Sequence, residues 1–307
     1  MAGFESMTNV DGLISATADA HIPVMDRGFL YGDSIYEVFR TYDGVPLFYD
    51  EHWERFENSA RLIHMRLSLT KAHMMQEIRR TVLMTNAAAF ERDVYVRYTM
   101  TRGEGPVDLF PGPELTARFV IIIKGLHNWP TEHYSVGVKL AIPRVLRNPS
   151  GALDPNIKGG NYLNNVLGVI EARELGADDC LMLNDAGLVT EASNSNVFFV
   201  INDEIVTPAP TVGHLRGLTK TAVCEACEVR GVRIVERDIS LDEIANATEC
   251  FITSTTREIM PVSGLRLRDG SEVIFPAGGG ALTRHATACY KEHLEDYLSG
   301  HKGLSLF

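Results

Sequence analysis

The chain is expected to fold as two mixed α/β domains, an α+β first half and a larger second half, without a parallel dinucleotide-binding sheet. Three observations predict this. Its 307 residues exceed what one small core serves. Alternating, strand-like runs interleave with apolar residues at three- and four-residue spacing along the whole length. No GxGxxG follows a strand-like run.

The elements follow in order. An apolar-polar stretch around Gly12–Ser15 opens the chain, and IYEVFRTY then alternates and is rich in β-branched and aromatic residues, as a strand should be. Asp43-Gly44 supplies a hairpin turn into residues 45–49. Asp50 is the expected cap of a helix carrying Trp53, Phe56, Ala60 and Ile63 on one face. A second helix from about Thr70 presents Met74, Ile78 and Val82, and DVYVRYTMTRG and ARFVIIIKG are strands around a Gly/Pro-rich loop. This makes residues 1–125 a small α+β domain, 126–133 (LHNWPTEH) a linker, and 134–307 the larger domain. In the latter, VGVKLAI is a strand, and the loop RNPSGALDPNIKGG leads to a helix bearing Leu163, Val166, Leu167 and Ile170. Strands turning at residues 185–187 and at Asn202-Asp203 come next, then a helix over Leu218–Glu228 ending near Gly231. VRIVERDI and CFITSTT add strands, and a last helix covers roughly 282–298.

With 45% hydrophobic and 22% charged residues the chain can bury a core. A net charge of −11 argues against nucleic acid or an anionic membrane as a general partner, though not against one focused anion site. The longest dense apolar stretch, Phe119–Ile123, falls far short of a membrane span, and MAGFESMTNV lacks the features of a secretory signal. Five cysteines, an odd number, suit a reducing compartment, and a cytoplasmic protein is expected. Cys224 and Cys227 form a CxxC without a second ligand pair, so inert thiols are the better reading. His21, His52 and His64 show no HxxxH or carboxylate companions, His127 and His133 flank the linker, and no metal site is expected. Gly278-Gly279-Gly280 lacks the strand, helix and lysine of a phosphate loop.

Five separated features carry chemistry, each weak alone. Lys158 precedes two glycines, whose missing side chains leave room for a ligand; a solvated turn lysine is the plain alternative. Glu191 ends a strand, where a surface carboxylate is common, and Arg55 lies in the helix HWERF, where a solvated arginine is common. Leu218 and Thr219 in RGLTK stand at a helix start, whose N–H groups and dipole favour phosphate. Thr255 and Thr256 sit in the polar turn TSTTRE.

In order and spacing, the segments DRGFLYGDSIYEVFR, HWERF, IKGGNYLNNVLGVIEAR, GLVTEASNSNVFFV, GLTK and ITSTTREIMPV resemble the class IV aminotransferases, from about Asp19 to Tyr290. The resemblance implies the two-domain fold type IV architecture of D-amino-acid aminotransferase-like enzymes, with pyridoxal 5'-phosphate held where the domains meet. It implies that Lys158 carries the cofactor as a Schiff base and moves the proton, and that Glu191 pairs with the pyridine nitrogen. Arg55 would clamp the phosphate through its planar fork, Leu218, Thr219 and Thr256 would complete the phosphate cup with Thr255 beside them, and Tyr162 would approach the ring oxygen or Glu191. The family is generally homodimeric, with Tyr31 of the partner subunit at the substrate mouth.

Substrate signals divide. Branched-chain enzymes of the family read YGxSxFEGxR where this chain has Tyr31, Tyr36, Glu37, Val38 and Arg40, so its YEV leans toward the D-amino-acid pattern. Tyr95, Arg97 and NYLNN look branched-chain-like, and the loop TRGEGPVDLFPGPE lacks the Arg-x-His carboxylate clamp of the D-enzymes. Arg97 and the Thr255–Thr256 backbone would then hold the substrate carboxylate. The expectation is an L-branched-chain aminotransferase with 2-oxoglutarate or pyruvate as acceptor. A D-amino-acid or R-selective amine transaminase, an aminodeoxychorismate lyase and a cofactor-binding protein without turnover stay open.

Overall fold

The computed structural model describes residues 4–87 and 93–307. The chain divides into two compact units: Met1–His127 with Ile157–Asn161 and Leu298–Phe307, and Asn128–Asn156 with Tyr162–Tyr297. The first crossing falls within 126–133, and three more follow, so the short segment around Lys158 belongs with the first unit.

The first unit is a six-stranded antiparallel sheet backed by two helices. Its strands are β1 (Met7–Val10), β2 (Leu13–Ala16), β3 (Ser34–Tyr42), β4 (Val45–Pro46), β5 (Val94–Thr101) and β6 (Arg118–Gly125), in the order β2-β1-β6-β5-β3-β4. A short helix, α1 (Arg27–Tyr31), precedes β3; α2 (Tyr49–Leu62) and α3 (Lys71–Leu83) cover the sheet. Alternation decides which face is which: Ile35, Glu37, Phe39 and Thr41 of β3 and Val94, Val96, Tyr98 and Met100 of β5 are buried under the helices. Trp53, Phe56 and Ala60 of α2 and Met74, Ile78 and Val82 of α3 meet them, as their spacing requires. Fully burying a ring such as Phe39 or Phe56 contributes about 1.5–3 kcal/mol.

Asp43 and Gly44, at φ 49° and 78°, make the expected left-handed hairpin turn. Asp50, however, does not cap α2. The helix starts at Tyr49 behind a left-handed Phe48, with no side-chain cap, and Asp50 and Glu51 lie inside its first turn. There their charges still favour the helix N-terminus. Thr70 does cap α3, accepting from His73 N at 3.3 Å.

The second unit opens with the short α4 (Glu132–Ser135) and contains β7 (Val138–Ala141), α5 (Leu163–Glu174), β8 (Asp179–Leu183), β9 (Val189–Ala192), β10 (Asn196–Ile201), β11 (Glu204–Pro208), α6 (Leu218–Val229), β12 (Ile234–Arg237), α7 (Leu241–Ile244), β13 (Glu249–Ser254), β14 (Glu258–Arg266), β15 (Glu272–Ile274) and most of α8 (Ala281–His301). Its nine-stranded sheet runs β12-β11-β10-β13-β14-β7-β8-β9, with β15 on β14. The β11–β12, β14–β7 and β7–β8 pairs are parallel, the rest antiparallel. Buried on both faces, β8, β9 and β10 read as continuous rather than alternating runs.

Helix α5 carries the expected apolar residues, but turns them outward. Its small residues Gly168 and Ala172, with Asn165, face inward, whereas Leu163 (70% exposed), Val166, Leu167 and Ile170 face out. Gly168 decides this: a Cβ there would stand 3.1 Å from Cys180 Sγ, so the helix lies close on β8 by its smallest side.

Candidate active site

The Lys158 segment lies flat along β3. Gly159 bridges Ile35, Tyr36 N donates to Lys158 O at 2.9 Å, Gly160 N to Ser34 O at 3.0 Å, and Lys158 N to Ser59 Oγ at 3.1 Å. The glycines permit this contact, because a Cβ on Gly160 would stand 2.4 Å from Ser34 Oγ. With its backbone bonded at both ends, Lys158 is fixed at its root while its side chain extends over the Tyr36 ring, Nζ 4.7 Å from the centroid. Arg97 lies on that ring too, Cζ at 3.6 Å.

The period of two explains why these residues meet. Tyr36, Val38 and Arg40 alternate with the core residues of β3, and Tyr95 and Arg97 with those of β5, so all five share the sheet face away from α2 and α3. The register places Val38 opposite Arg97 and Arg40 opposite Tyr95. Tyr31 stands apart on α1, with the Arg27 guanidinium 4.8 Å from its ring centre.

Arg55 has a partner that sequence reading did not supply. Its Nε and Nη2 donate to the two Glu37 carboxylate oxygens at 2.6 and 2.8 Å, and His52 Nδ1 meets Glu37 Oε2 at 2.7 Å. His52 therefore has a carboxylate companion after all, contrary to expectation; the contact comes from β3, 15 residues earlier. Burial opposes charge on Glu37, but Arg55 and His52 outweigh it and hold the carboxyl far below its usual range. Burial lowers the His52 pKa, with Glu37 opposing.

In the second unit, Glu191 at the end of β9 is buried and held from two sides: Arg147 Nε donates to Oε1 at 3.0 Å and Leu215 N to Oε2 at 3.3 Å. Each oxygen retains acceptor capacity for one more donor. The Leu215 bond ties this carboxylate to the loop feeding α6. That helix starts at Leu218 behind Gly217 with no side-chain cap, so the first-turn amides, Leu218 and Thr219 among them, are presented to an anion. Asn196 Nδ2 donates to Leu215 O at 2.9 Å, and a Cβ on Gly217 would stand 1.9 Å from Asn196 Oδ1, so any side chain there would displace Asn196. Behind the cup, Lys220 Nζ is buried, 2.9 Å from Pro208 O and 2.8 Å from Glu236 Oε1. Thr255 and Thr256 form the turn between β13 and β14, and Trp129 Nε1 donates to Thr256 O at 3.2 Å. Tyr162 precedes α5 and lines a hollow with Asn165, Ser193 and Asn194.

A model of the class IV aminotransferase family matches residues 34–265, about three quarters of the chain. The chain belongs to the class IV aminotransferases. A putative branched-chain-amino-acid aminotransferase of Methanocaldococcus jannaschii is 35% identical over 244 residues, 80% of this chain and 82% of the relative. The D-alanine aminotransferase of Bacillus licheniformis is 30% identical over 275 residues, 90% and 92% of the two chains. Among solved structures, the branched-chain aminotransferase of Thermoproteus uzoniensis with norvaline superimposes with a TM-score of 0.84 at 25% identity, covering 95% of this chain and 97% of that one. The mixed α/β architecture is thus the fold type IV one.

Class IV aminotransferases depend on pyridoxal phosphate. The residues fit that cofactor: an uncapped helix start behind a glycine whose Cβ would displace Asn196 suits its phosphate, and a buried, oriented carboxylate suits its ring nitrogen. A lysine rooted beside glycines suits its aldehyde. Elsewhere, the glycine run 278–280 is closed on protein. A Cβ on Gly280 would stand 2.1 Å from Glu249 Oε1, and Glu249 accepts from Leu282 N and Thr283 N at the start of α8. None of the five cysteines is in a disulfide, and burial pushes Cys224 up to about 11 and Cys227 up to about 12, with Cys289 adding to the latter. Among the described residues no three His, Cys, Asp or Glu side chains cluster as a metal site, and no helix is long and apolar enough to cross a membrane.

Proposed function

We propose that this aminotransferase moves an amino group from an L-branched-chain amino acid (leucine, isoleucine or valine) to 2-oxoglutarate or pyruvate in a ping-pong cycle centred on Lys158. The supporting observation is Arg97 laid on Tyr36 beside Lys158, with Tyr95 on the same sheet face. A carboxylate needs a cation there, and the loop after β5 carries no Arg-x-His; its Arg102 is engaged by Asp33 at 2.7 Å and by the Ile63 and His64 carbonyls. The 35% identical archaeal relative bears a branched-chain name.

Pyridoxal phosphate supplies an electrophilic carbon and an electron-accepting ring. Lys158 would hold the cofactor, and its amine would take the proton from the substrate Cα and give it back. Glu191, oriented by Arg147 and the Leu215 amide, would accept a hydrogen bond from the cofactor's ring nitrogen. Arg55, Leu218, Thr219, Thr255 and Thr256 would hold its phosphate, and Tyr162 would assist at the ring. Arg97 and the Thr255–Thr256 backbone would take the substrate carboxylate, with Tyr36, Val38, Arg40 and Tyr95 around the side chain and Tyr31 of the partner subunit at the substrate mouth.

Val38 favours a second reading. Where branched-chain relatives carry glycine, its side chain on the Arg97 face narrows the room for leucine, and the 30% identical D-alanine enzyme points the same way. The test is the visible absorbance of the lysine-bound cofactor as L-leucine or, separately, D-alanine is added. Bleaching by L-leucine alone supports the branched-chain reading; bleaching by D-alanine alone transfers the assignment to the D-amino-acid class. Parallel double-reciprocal plots check the ping-pong order.

The outward stripe Leu163, Val166, Leu167 and Ile170 supports a homodimer, since such a face on α5 calls for apolar cover. Light scattering of a Val166→Glu/Leu167→Glu protein should report a loss of dimer; an unchanged mass would remove α5 from the interface. The five thiols suit the reducing cytoplasm.

A further inference from the structure

Arg257 follows the Thr255–Thr256 turn and takes no direct part in the chemistry above. Its side chain is only 12% exposed, and its contacts reach four places in the second unit. Nη1 donates to Asn194 Oδ1 and, at 2.7 Å, to Ser195 Oγ. Nη2 stands 3.4 Å from Asp179 Oδ2 on β8, an ion pair whose geometry makes no hydrogen bond. The guanidinium also lies 4.6 Å from the Trp129 ring centre, and Trp129 in turn donates to Thr256 O at 3.2 Å.

These contacts join two turns. Ser193–Ser195 links β9, which ends just past Glu191, to β10, and it is closed by Ala192 N donating to Ser195 O at 2.8 Å. Thr255–Arg257 is the three-residue loop between the paired Ser254 and Glu258. Glu258 adopts φ 56°, a left-handed conformation that is strained for a non-glycine residue. A turn that stores strain needs partners to hold it in one shape, and Arg257 with Trp129 supplies them. The guanidinium is suited to this because its planar donors engage two acceptors while its face stacks on an indole, which a lysine ammonium cannot copy.

We propose that Arg257 is a positioning residue: it braces the Thr255–Thr256 turn against the Ser193–Ser195 turn behind Glu191, setting the backbone that receives the cofactor phosphate and substrate carboxylate. The inference rests on the anion-binding role given to Thr255 and Thr256 above. A residue that only stabilised the fold would lower the melting temperature and leave binding by the folded fraction unchanged. A brace should instead change binding more than turnover.

The test compares wild type, Arg257→Ala and Arg257→Lys as cofactor-loaded enzymes. Apo forms are titrated with pyridoxal phosphate by equilibrium dialysis, and KM and kcat are measured for the amino donor found active above. Arg257→Ala should raise the cofactor Kd and the donor KM about tenfold while kcat stays within about threefold, and Arg257→Lys should recover part of the loss. Kd and KM both within twofold of wild type in a folded Arg257→Ala protein would overturn the proposal. Should that variant not fold, Asn194→Ala/Ser195→Ala removes both acceptors and keeps the guanidinium on Trp129 and Asp179. It should raise Kd and KM about threefold, and unchanged values would again overturn the brace. If wild type binds the cofactor but transfers no amino group, the aminotransferase reading fails, and the brace is then decided by the cofactor Kd alone.

Discussion

Replacing Glu37 by glutamine should destabilise the first unit by about 3 kcal/mol at neutral pH, and the loss should disappear in acid. Glu37 is fully buried and serves three donors: Arg55 Nε at 2.6 Å, Arg55 Nη2 at 2.8 Å and His52 Nδ1 at 2.7 Å. Removing one partner of a buried ion pair typically costs about 3–5 kcal/mol, because the other charge is left desolvated. Glutamine keeps one carbonyl acceptor, so the low end of that range applies, while its amide hydrogens would face N–H groups of Arg55 or His52. Because the folded-state pKa of Glu37 is depressed below its ordinary 4.5, its contribution is complete above that value and is lost as pH falls below it. The assay is urea unfolding of the apo protein, followed by tryptophan emission. The two tryptophans, Trp53 and Trp129, fall one in each unit, so a Trp129→Phe background isolates the first. The stability gap between this background and its Glu37→Gln variant should hold above about pH 5 and narrow below about pH 4. A gap under about 1 kcal/mol at pH 7, or one that does not change in acid, would refute the reasoning.

Three further outcomes follow from the same geometry. Lys158→Ala should lose the lysine-bound cofactor absorbance and lower turnover by about 10³-fold or more, and a normal steady-state rate would remove Lys158 from the chemistry. Gly217→Ala drives a Cβ to 1.9 Å from Asn196 Oδ1, so the Asn196–Leu215 bond should break and the cofactor Kd, by equilibrium dialysis, should rise about tenfold. Arg147→Leu takes the 3.0 Å bond from Glu191 Oε1 and should lower kcat about tenfold with little change in donor KM; equal effects on both would place Arg147 in substrate binding instead.

Much of the architecture was legible because sequence periodicity reports local geometry. IYEVFRTY alternates, and in β3 alternate residues do part, Phe39 to the core and Val38 to the other face. Met74, Ile78 and Val82 recur at helical spacing and are buried together on α3. The Asp50 cap failed for a local reason: the left-handed Phe48 starts α2 before Asp50 is reached. Which face of α5 turns inward is a tertiary matter, since apolar spacing finds a stripe but does not say whether that stripe or the small residues between it will meet a sheet.

The sequence by itself determined the family, because the segments around Lys158, Glu191 and Thr219 keep their order and spacing along the chain however it folds. Only the tertiary structure decided what those groups lean on. Glu37 under Arg55, Arg147 against Glu191 and Arg257 across two turns each join residues at least 18 positions apart. Such pairings arise from which strands become neighbours and from the need to partner every charge taken out of water, and neither leaves a periodic trace along the chain.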